Sequence, residues 1–483
     1  MIRSYEWCKK EIGEIGEVIE TTDSFVKCSD LGKATVGEVV SFANGRHGQI
    51  LALRSDHVEV LVFSRHSIPV GIKAARTGSK VTVSLGEGIM GHTIDTFGYA
   101  KDERRFKSDF PEEREIVTLP TSIIGRKKVK RFMSTGVSLI DLMLPIGWGQ
   151  RELIIGDRKT GKTHFLLQTI LNQAKMGRVC IYGAIGKRKE EIRAVEDFFQ
   201  KQGIENRTVI VAADAYDSPG EVYLAPYTAM TVAEYFRDKG IDVLLVLDDL
   251  TTHAKYYREL SLISRRFPGR ESYPGDVFHV HSKLLERAGC FEKDGQESSI
   301  TCLPVAESMG ADFTGYIQTN LMSITDGHIY FDTDYFLRGL RPAINPFLSV
   351  TRVGRQTQSP LMRDTGQQIT SLLKRHANLQ RFLSFGQELG EEARANLALG
   401  ETMLKFLTQT GYVVYTVNVQ LMLVALLWLG LWNGEGADKV SENYQNNIKF
   451  QETIDPIIAE SKTLQELCAK VKVKSNIILN KLS

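Results

Sequence analysis

Gly156-Asp157-Arg158-Lys159-Thr160-Gly161-Lys162-Thr163 decides how this chain is read, because it matches G-x-x-x-x-G-K-[ST] at every defined position. The apolar run Leu153-Ile154-Ile155 precedes it, and His164-Phe165-Leu166-Leu167-Gln168-Thr169-Ile170-Leu171 follows, so the context predicts strand, loop and helix. In that setting Gly156 and Gly161 let the backbone wrap an anion. Lys162 supplies a point charge to the outer phosphates and Thr163 offers a hydroxyl to Mg²⁺.

Downstream of the cradle, apolar runs alternate with helical patterns from about Ile123 to Gly366, which predicts a mostly parallel sheet covered by helices. Arg178–Tyr182, Thr208–Ala212 and Val243–Leu247 read as its strands, and the last ends in Asp248-Asp249. An acid just past a buried strand beside a phosphate cradle is placed to hold a Mg²⁺ shell, so Asp248 joins Thr163 as an expected metal ligand.

Upstream, short β-like runs at Gly16–Ile19, Thr35–Val40, Gln49–Leu53, Val58–Phe63 and Lys80–Val83 are separated by glycines and polar turns, which predicts a small β-barrel. The charged run from Lys101 to Asp109 reads as a solvated connection. Beyond Gln367 helical spacing dominates, as in Thr370–Arg375 and Ala393–Leu399, and predicts a helical bundle. The expected organisation is thus an α/β chain in three parts: barrel 1–97, nucleotide-binding domain 98–366 and helical domain 367–483.

Bulk properties exclude several classes. With 483 residues the chain exceeds one core, and 42% hydrophobic with 24% charged residues is ordinary for a globular protein. A net charge of +2 provides no basic field for nucleic acid. The six cysteines show no C-x-x-C pair, which favours buried thiols over disulfides or zinc. Val419–Trp432 is the longest apolar stretch and falls short of the ~20 residues of a spanning helix, so it reads as a buried helix.

Longer matches extend the reading. Leu144–Arg158, Tyr223–Tyr227, Ala233–Asp238, Pro268–Phe278, Ser323–Gly327 and Arg341–Pro346 together, in this order, resemble the α subunits of F-type rotary ATPases. The resemblance implies a β-barrel crown, a RecA-like domain and a helical C-terminal domain, assembled with catalytic β-type subunits in a 3+3 ring around a central rotor stalk. It implies ATP/ADP and Mg²⁺ as ligands, peripheral-stalk contacts, and a peripheral position on the cytoplasmic face of a membrane. It also implies that this chain's pocket binds nucleotide through Gly156, Asp157, Arg158, Lys159, Thr160, Gly161, Lys162, Thr163, His164 and Lys187. Phe336, Arg341, Pro342 and Gln409 would line its adenine end, and Arg352 in Ser349–Gly354 would act in trans as an arginine finger.

The residues test that implication. Catalytic relatives carry a water-orienting Glu after the strand that follows the cradle helix, whereas this chain has Lys187, and an ammonium is no base at neutral pH. The expectation is binding without turnover. Lys159 and Lys187 replace glutamines usual in α chains and add positive charge near the phosphates. Trp148 stands for a usual Arg, Gly411 for an adenine-side Gln, and some fifteen residues precede the first barrel strand, fewer than the usual stator arm. A specialised F1-like motor, a self-sufficient secretion-type ATPase and a Rho-like helicase are the alternatives. Lys187 opposes the second, and the lack of a basic-aromatic stacking pattern opposes the third.

Overall fold

The computed structural model describes residues 3–101, 110–310, 312–384, 390–475 and 478. Most of the charged run after Lys101 therefore lies outside the described residues. The chain divides into two compact units: one of Met1–Lys127, Gly177–Glu307 and Asp312–Thr325, the other of Lys128–Met176, Ser308–Ala311 and Asp326–Ser483.

In the first unit, strands β1 (Ile15–Thr21), β2 (Phe25–Cys28), β3 (Glu38–Phe42), β4 (His47–Leu53), β5 (Val58–Val62) and β6 (Lys73–Lys80) close an antiparallel barrel in the order β1-β2-β5-β4-β3-β6. Closure leaves no open edge, and the inward side chains Val18, Val26, Val40, Phe42, Ile50, Val60 and Ala74 fill the interior. The predicted barrel is thus present, with two differences in its strands. Two barrel strands become visible only through pairing: β2 (FVKC) has just four residues and β6 (KAARTGSK) has few apolar ones. The run expected at Lys80–Val83 breaks after Lys80, and Thr82–Leu85 pairs instead with Glu112–Glu115 in a two-stranded ribbon outside the barrel.

The same unit holds a parallel sheet in the order Gln296–Glu307, Val243–Asp248, Val179–Lys187, Thr208–Asp214 and Thr93–Ile94. Its three central strands are almost wholly buried, which explains their unbroken apolar runs. Four of these strands end on a charged residue, Glu307, Asp248, Lys187 and Asp214, so chemistry gathers at the carboxyl edge. Helix Pro219–Asp238 packs on this sheet and starts from a capping box, Ser218 with Glu221, and Pro219 in the first turn.

In the second unit, Glu152–Gly156 runs parallel to Gly327–Phe331, which pairs antiparallel with Val350–Thr351. Helix Lys162–Lys175 follows the cradle. Among the described residues six α-helices follow from Pro360 onward: Pro360–Ser384, Glu391–Leu407, Val417–Trp428, Ala437–Asn446, Ile448–Ala459 and Leu464–Val473. The helical domain is as predicted in kind, its first helix beginning at Pro360, ahead of Gln367. Val417–Trp428 is apolar all round because its neighbours Ile448–Ala459 and Leu464–Val473 cover it, and each fully buried leucine there contributes roughly 2 kcal/mol. Among the described residues no helix is long and apolar enough to cross a membrane.

Within this unit one buried carboxylate ties the helices to the segment that leads into the cradle. Asp141 accepts hydrogen bonds from Thr135 N–H and Oγ1 (both 2.7 Å), Ser134 Oγ (2.9 Å), Gly136 N–H (3.1 Å) and Gln420 Nε2 (3.0 Å). Burial nevertheless pushes its carboxyl above the usual range.

Candidate nucleotide site and arginine edge

Strand Glu152–Gly156 stops where the cradle begins, because Gly156 lies so close to the neighbouring strand that a Cβ would meet Phe331 O at 2.4 Å. The loop turns through two left-handed residues, Lys159 (φ 63°) and Gly161 (φ 98°). A non-glycine residue held there carries local strain, which a functional loop tolerates. Lys159 is exposed, as are Arg158 and Thr163. Lys162 is buried, and its ammonium folds back to donate to Gly156 O (2.7 Å) and Asp157 O (2.6 Å). Thr160 Oγ1 donates to Asp157 O at 2.8 Å.

Two residues that sequence reading passes over brace this loop. Ser308 Oγ donates to Asp157 Oδ1 (2.7 Å) and Thr333 Oγ1 to its Oδ2 (3.0 Å). They stand 151 and 176 positions away along the chain, so no local pattern reveals them. His164 Nε2 donates to Gly411 O at 2.7 Å and its ring stacks on Tyr412 at 4.2 Å. Gly411 therefore contributes its carbonyl where a glutamine side chain is usual.

At the expected adenine end, the Arg341 guanidinium lies 3.7 Å over the Phe336 ring and donates to Phe336 O (2.9 Å) and Leu340 O (2.8 Å). Pro342 follows through a cis peptide bond and is buried. Gln409 is 2% exposed: its Oε1 accepts from Ser138 N–H (2.6 Å) and its Nε2 donates to Gly136 O (3.0 Å). Its amide is thus committed to backbone, while its own N–H donates to Arg341 O at 2.6 Å and holds the Phe336–Pro342 turn in place.

In the first unit, Lys187 and Asp248 end adjacent strands and form an ion pair, Nζ to Oδ1 at 2.7 Å, with Asp249 Oδ2 at 3.6 Å. The other Asp248 oxygen accepts from Tyr182 Oη at 2.6 Å, a contact nothing in the local pattern announces. Burial works against the Lys187 charge, but Asp248 and Asp249 outweigh it and raise the ammonium above its ordinary range. Asp249 caps helix Leu250–Ile263 by accepting from Thr252 N–H at 2.6 Å. Arg188 and Lys189 beyond it are exposed, as a solvated helix start.

Back in the second unit, Arg352 is exposed at the end of strand Val350–Thr351. Its backbone N–H donates to Asp326 O (3.1 Å), while its guanidinium makes no hydrogen bond or ion pair among the described residues. An unengaged guanidinium at an edge is available to a ligand outside the chain.

Residues 136–351 match the nucleotide-binding domain of the ATP synthase alpha/beta family and residues 358–478 match the C-terminal domain of the alpha/beta chain. The chain belongs to the ATP synthase alpha/beta family. It is 38% identical over 468 residues to ATP synthase subunit alpha of Sulfurovum sp. (strain NBC37-1), covering 96% of this chain and 93% of that one. It is 40% identical to ATP synthase subunit alpha 1 of Dinoroseobacter shibae over 88% of this chain and 83% of that one. ATP synthase subunit alpha of Clostridium acetobutylicum is 39% identical, over 88% and 84%. The cradle and the charged strand ends fall inside the matched nucleotide-binding domain, and Arg352 is the residue immediately after its last matched position.

Proposed function

We propose that this chain is the non-catalytic, nucleotide-binding α-type subunit of a rotary ATPase, which binds ATP or ADP itself and supplies Arg352 to the catalytic site of a neighbouring β-type subunit. The observation that carries this reading is Lys187, paired to Asp248 at the strand end where a catalytic chain needs a free carboxylate to orient water. A paired ammonium accepts no proton, so phosphoryl transfer to water lacks its positioning group on this chain.

The chain's own residues divide the work. Cradle N–H groups and Lys162 hold the phosphates, the helix Lys162–Lys175 directs its amino end toward them, and Phe336 with Pro342 offers apolar faces to the base. Lys159 adds a cation that favours triphosphate. Lys187 adds less than its charge suggests, because Asp248 and Asp249 already neutralise it.

Mg²⁺, which would screen phosphate charge when bound, fits these residues poorly. Thr163 is exposed and can ligate, but both oxygens of Asp248 are engaged by Lys187 and Tyr182. Asp248 therefore serves as counter-ion to Lys187.

Arg352 acts in trans: its guanidinium is always charged and presents a planar fork to the oxygens of a transferring phosphoryl group. The partners that follow are β-type subunits in a 3+3 ring, a central rotor stalk and stator elements, at the surface of a membrane. The test is to reconstitute the ring with wild-type β-type partner and either the parent chain or its Arg352→Lys variant. Turnover should fall by roughly 10³ or more, with ring mass and this chain's nucleotide occupancy unchanged. An Arg352→Lys ring that assembles and turns over within a few-fold of the parent overturns the assignment.

A further inference from the structure

Behind Arg352 lies a buried polar network that phosphate binding does not use. Glu152 opens the strand Glu152–Gly156 opposite Gly327, and its side chain is fully buried. Its Oε2 accepts from Gln150 Nε2 at 2.6 Å, while its Oε1 has no hydrogen-bond partner among the described residues. Gln150 is buried too. Its Oε1 accepts from Gly147 N–H (2.9 Å), and its Nε2 reaches Thr351 Oγ1 at 3.3 Å as well as Glu152.

Thr351 completes the chain of contacts. Its hydroxyl donates to Pro145 O (2.9 Å) and accepts from Gly354 N–H (3.1 Å) and Gln150, which uses the full capacity of a hydroxyl. Hydrogen bonds therefore run from the Glu152 carboxyl to the residue before Arg352 and to the one two places after it. From the other side, Arg352 N–H donates to Asp326 O, and Arg151 clamps the Asp326 carboxylate with Nη2 at 2.8 Å, Nε at 3.1 Å and its backbone N–H at 2.9 Å.

Packing shows how closely the backbone is drawn around this carboxyl. A Cβ at Gly327 would lie 2.6–2.7 Å from both Glu152 oxygens, and one at Gly354 would lie 1.6 Å from Pro145 O. A buried carboxyl with one unmatched oxygen is costly, and apolar residues would fill the same space at less cost. Burial pushes this carboxyl well above its ordinary range; the hydrogen bond from Gln150 opposes the rise, the Asp326 charge adds to it, and the positive charge of Arg352 opposes it more weakly. The network ties Pro145 and Gly147 to the two-residue strand Val350–Thr351 that immediately precedes Arg352.

We infer that Glu152, acting through Gln150 and Thr351, is a positioning residue for the Arg352 guanidinium, setting the direction from which it reaches the phosphoryl group in the neighbouring subunit. The inference rests on the trans-acting role proposed for Arg352. Fixing a charged donor to within a fraction of an ångström is what electrostatic catalysis requires of the groups behind it.

The experiment uses the reconstituted ring with Glu152→Ala, Glu152→Gln and Thr351→Val, each beside Arg352 and beside Arg352→Ala. Glu152→Ala and Thr351→Val should lower kcat about tenfold or more with KM within about threefold, and with ring mass and bound nucleotide unchanged. Glu152→Gln keeps an acceptor for Gln150 and should recover most of the lost rate. In the Arg352→Ala background neither change should lower the residual rate further, because the group they position is gone. Parental kcat in both Glu152→Ala and Thr351→Val rings overturns the inference, as does a multiplicative loss in the Arg352→Ala background. Thr351→Val decides the matter if Glu152→Ala does not assemble. Parental turnover in the Arg352→Ala ring alone would instead remove the trans role of Arg352, and this inference with it.

Discussion

Lys187 satisfies buried acids at the strand end, pairing with Asp248 and reaching Asp249. Its ammonium sits 2.7 Å from Asp248, where a divalent cation would otherwise find its carboxylate. Nucleotide affinity of this chain should therefore depend little on Mg²⁺, changing by about threefold or less when the metal is chelated. Lys187→Gln frees Asp248, and the same titration should then show a metal dependence of about tenfold or more, as expected when an uncompensated buried carboxylate gains a cation. Calorimetric titration with and without chelator reads both values. Equal metal dependence in parent and variant would refute the counter-ion role.

Helix Leu250–Ile263 carries His253 into a cluster with Tyr223, Tyr227, Tyr257 and His281, in which both histidines are fully buried. The Tyr223 carbonyl can only accept, so His253 Nε2 holds the proton (3.0 Å) and its Nδ1 accepts from His281 Nε2 (3.1 Å). Burial lowers His253 to about 4 and His281 well below its ordinary value, the latter also repelled by His253. Both imidazoles are neutral when folded and protonate on unfolding. Their contribution is fully present above the unfolded pKa of about 6.5 and is lost as pH falls toward the folded values. For His253 alone the loss between pH 7 and pH 5 is roughly 2 kcal/mol. Urea midpoints at the two pH values should show that fall, and His253→Phe should reduce it; an unchanged pH dependence in the variant would count against this account.

At the scale of the whole molecule, the proposed role divides function between this chain and its neighbour. The isolated chain should bind ATP and show negligible steady-state turnover, because the cradle is complete and the water-positioning acid is absent. Robust hydrolysis by the pure chain, abolished by Lys162→Ala, would overturn this. Mass determination of the complex purified through this chain should find a ring with a second P-loop subunit that bears a Glu at the strand end occupied here by Lys187.

Sequence alone determined the three kinds of part, barrel, parallel sheet and helical bundle, and their order, because those depend on local periodicity. Apolar runs of Val, Leu and Ile announced the parallel strands, helical spacing announced the C-terminal bundle, and the cradle announced itself through glycine and lysine at fixed offsets. Lys187 was legible too, at the position where the resemblance implies a water-orienting Glu in catalytic relatives. Tertiary structure decided what each charged side chain faces. That Lys187 neutralises Asp248, that Gln409 spends its amide on backbone, that Ser308 and Thr333 brace Asp157, and that Glu152 stands behind Arg352 all depend on residues far apart in the chain. Barrel strands β2 and β6 depend on the fold as well, since the four residues FVKC are too few to show a period, KAARTGSK has few apolar residues, and both are strands by pairing with their neighbours. Local pattern reports the free energy of burying one face of one segment. Hydrogen bonds and ion pairs between segments are chosen only when the fold brings their donors and acceptors within about 3 Å.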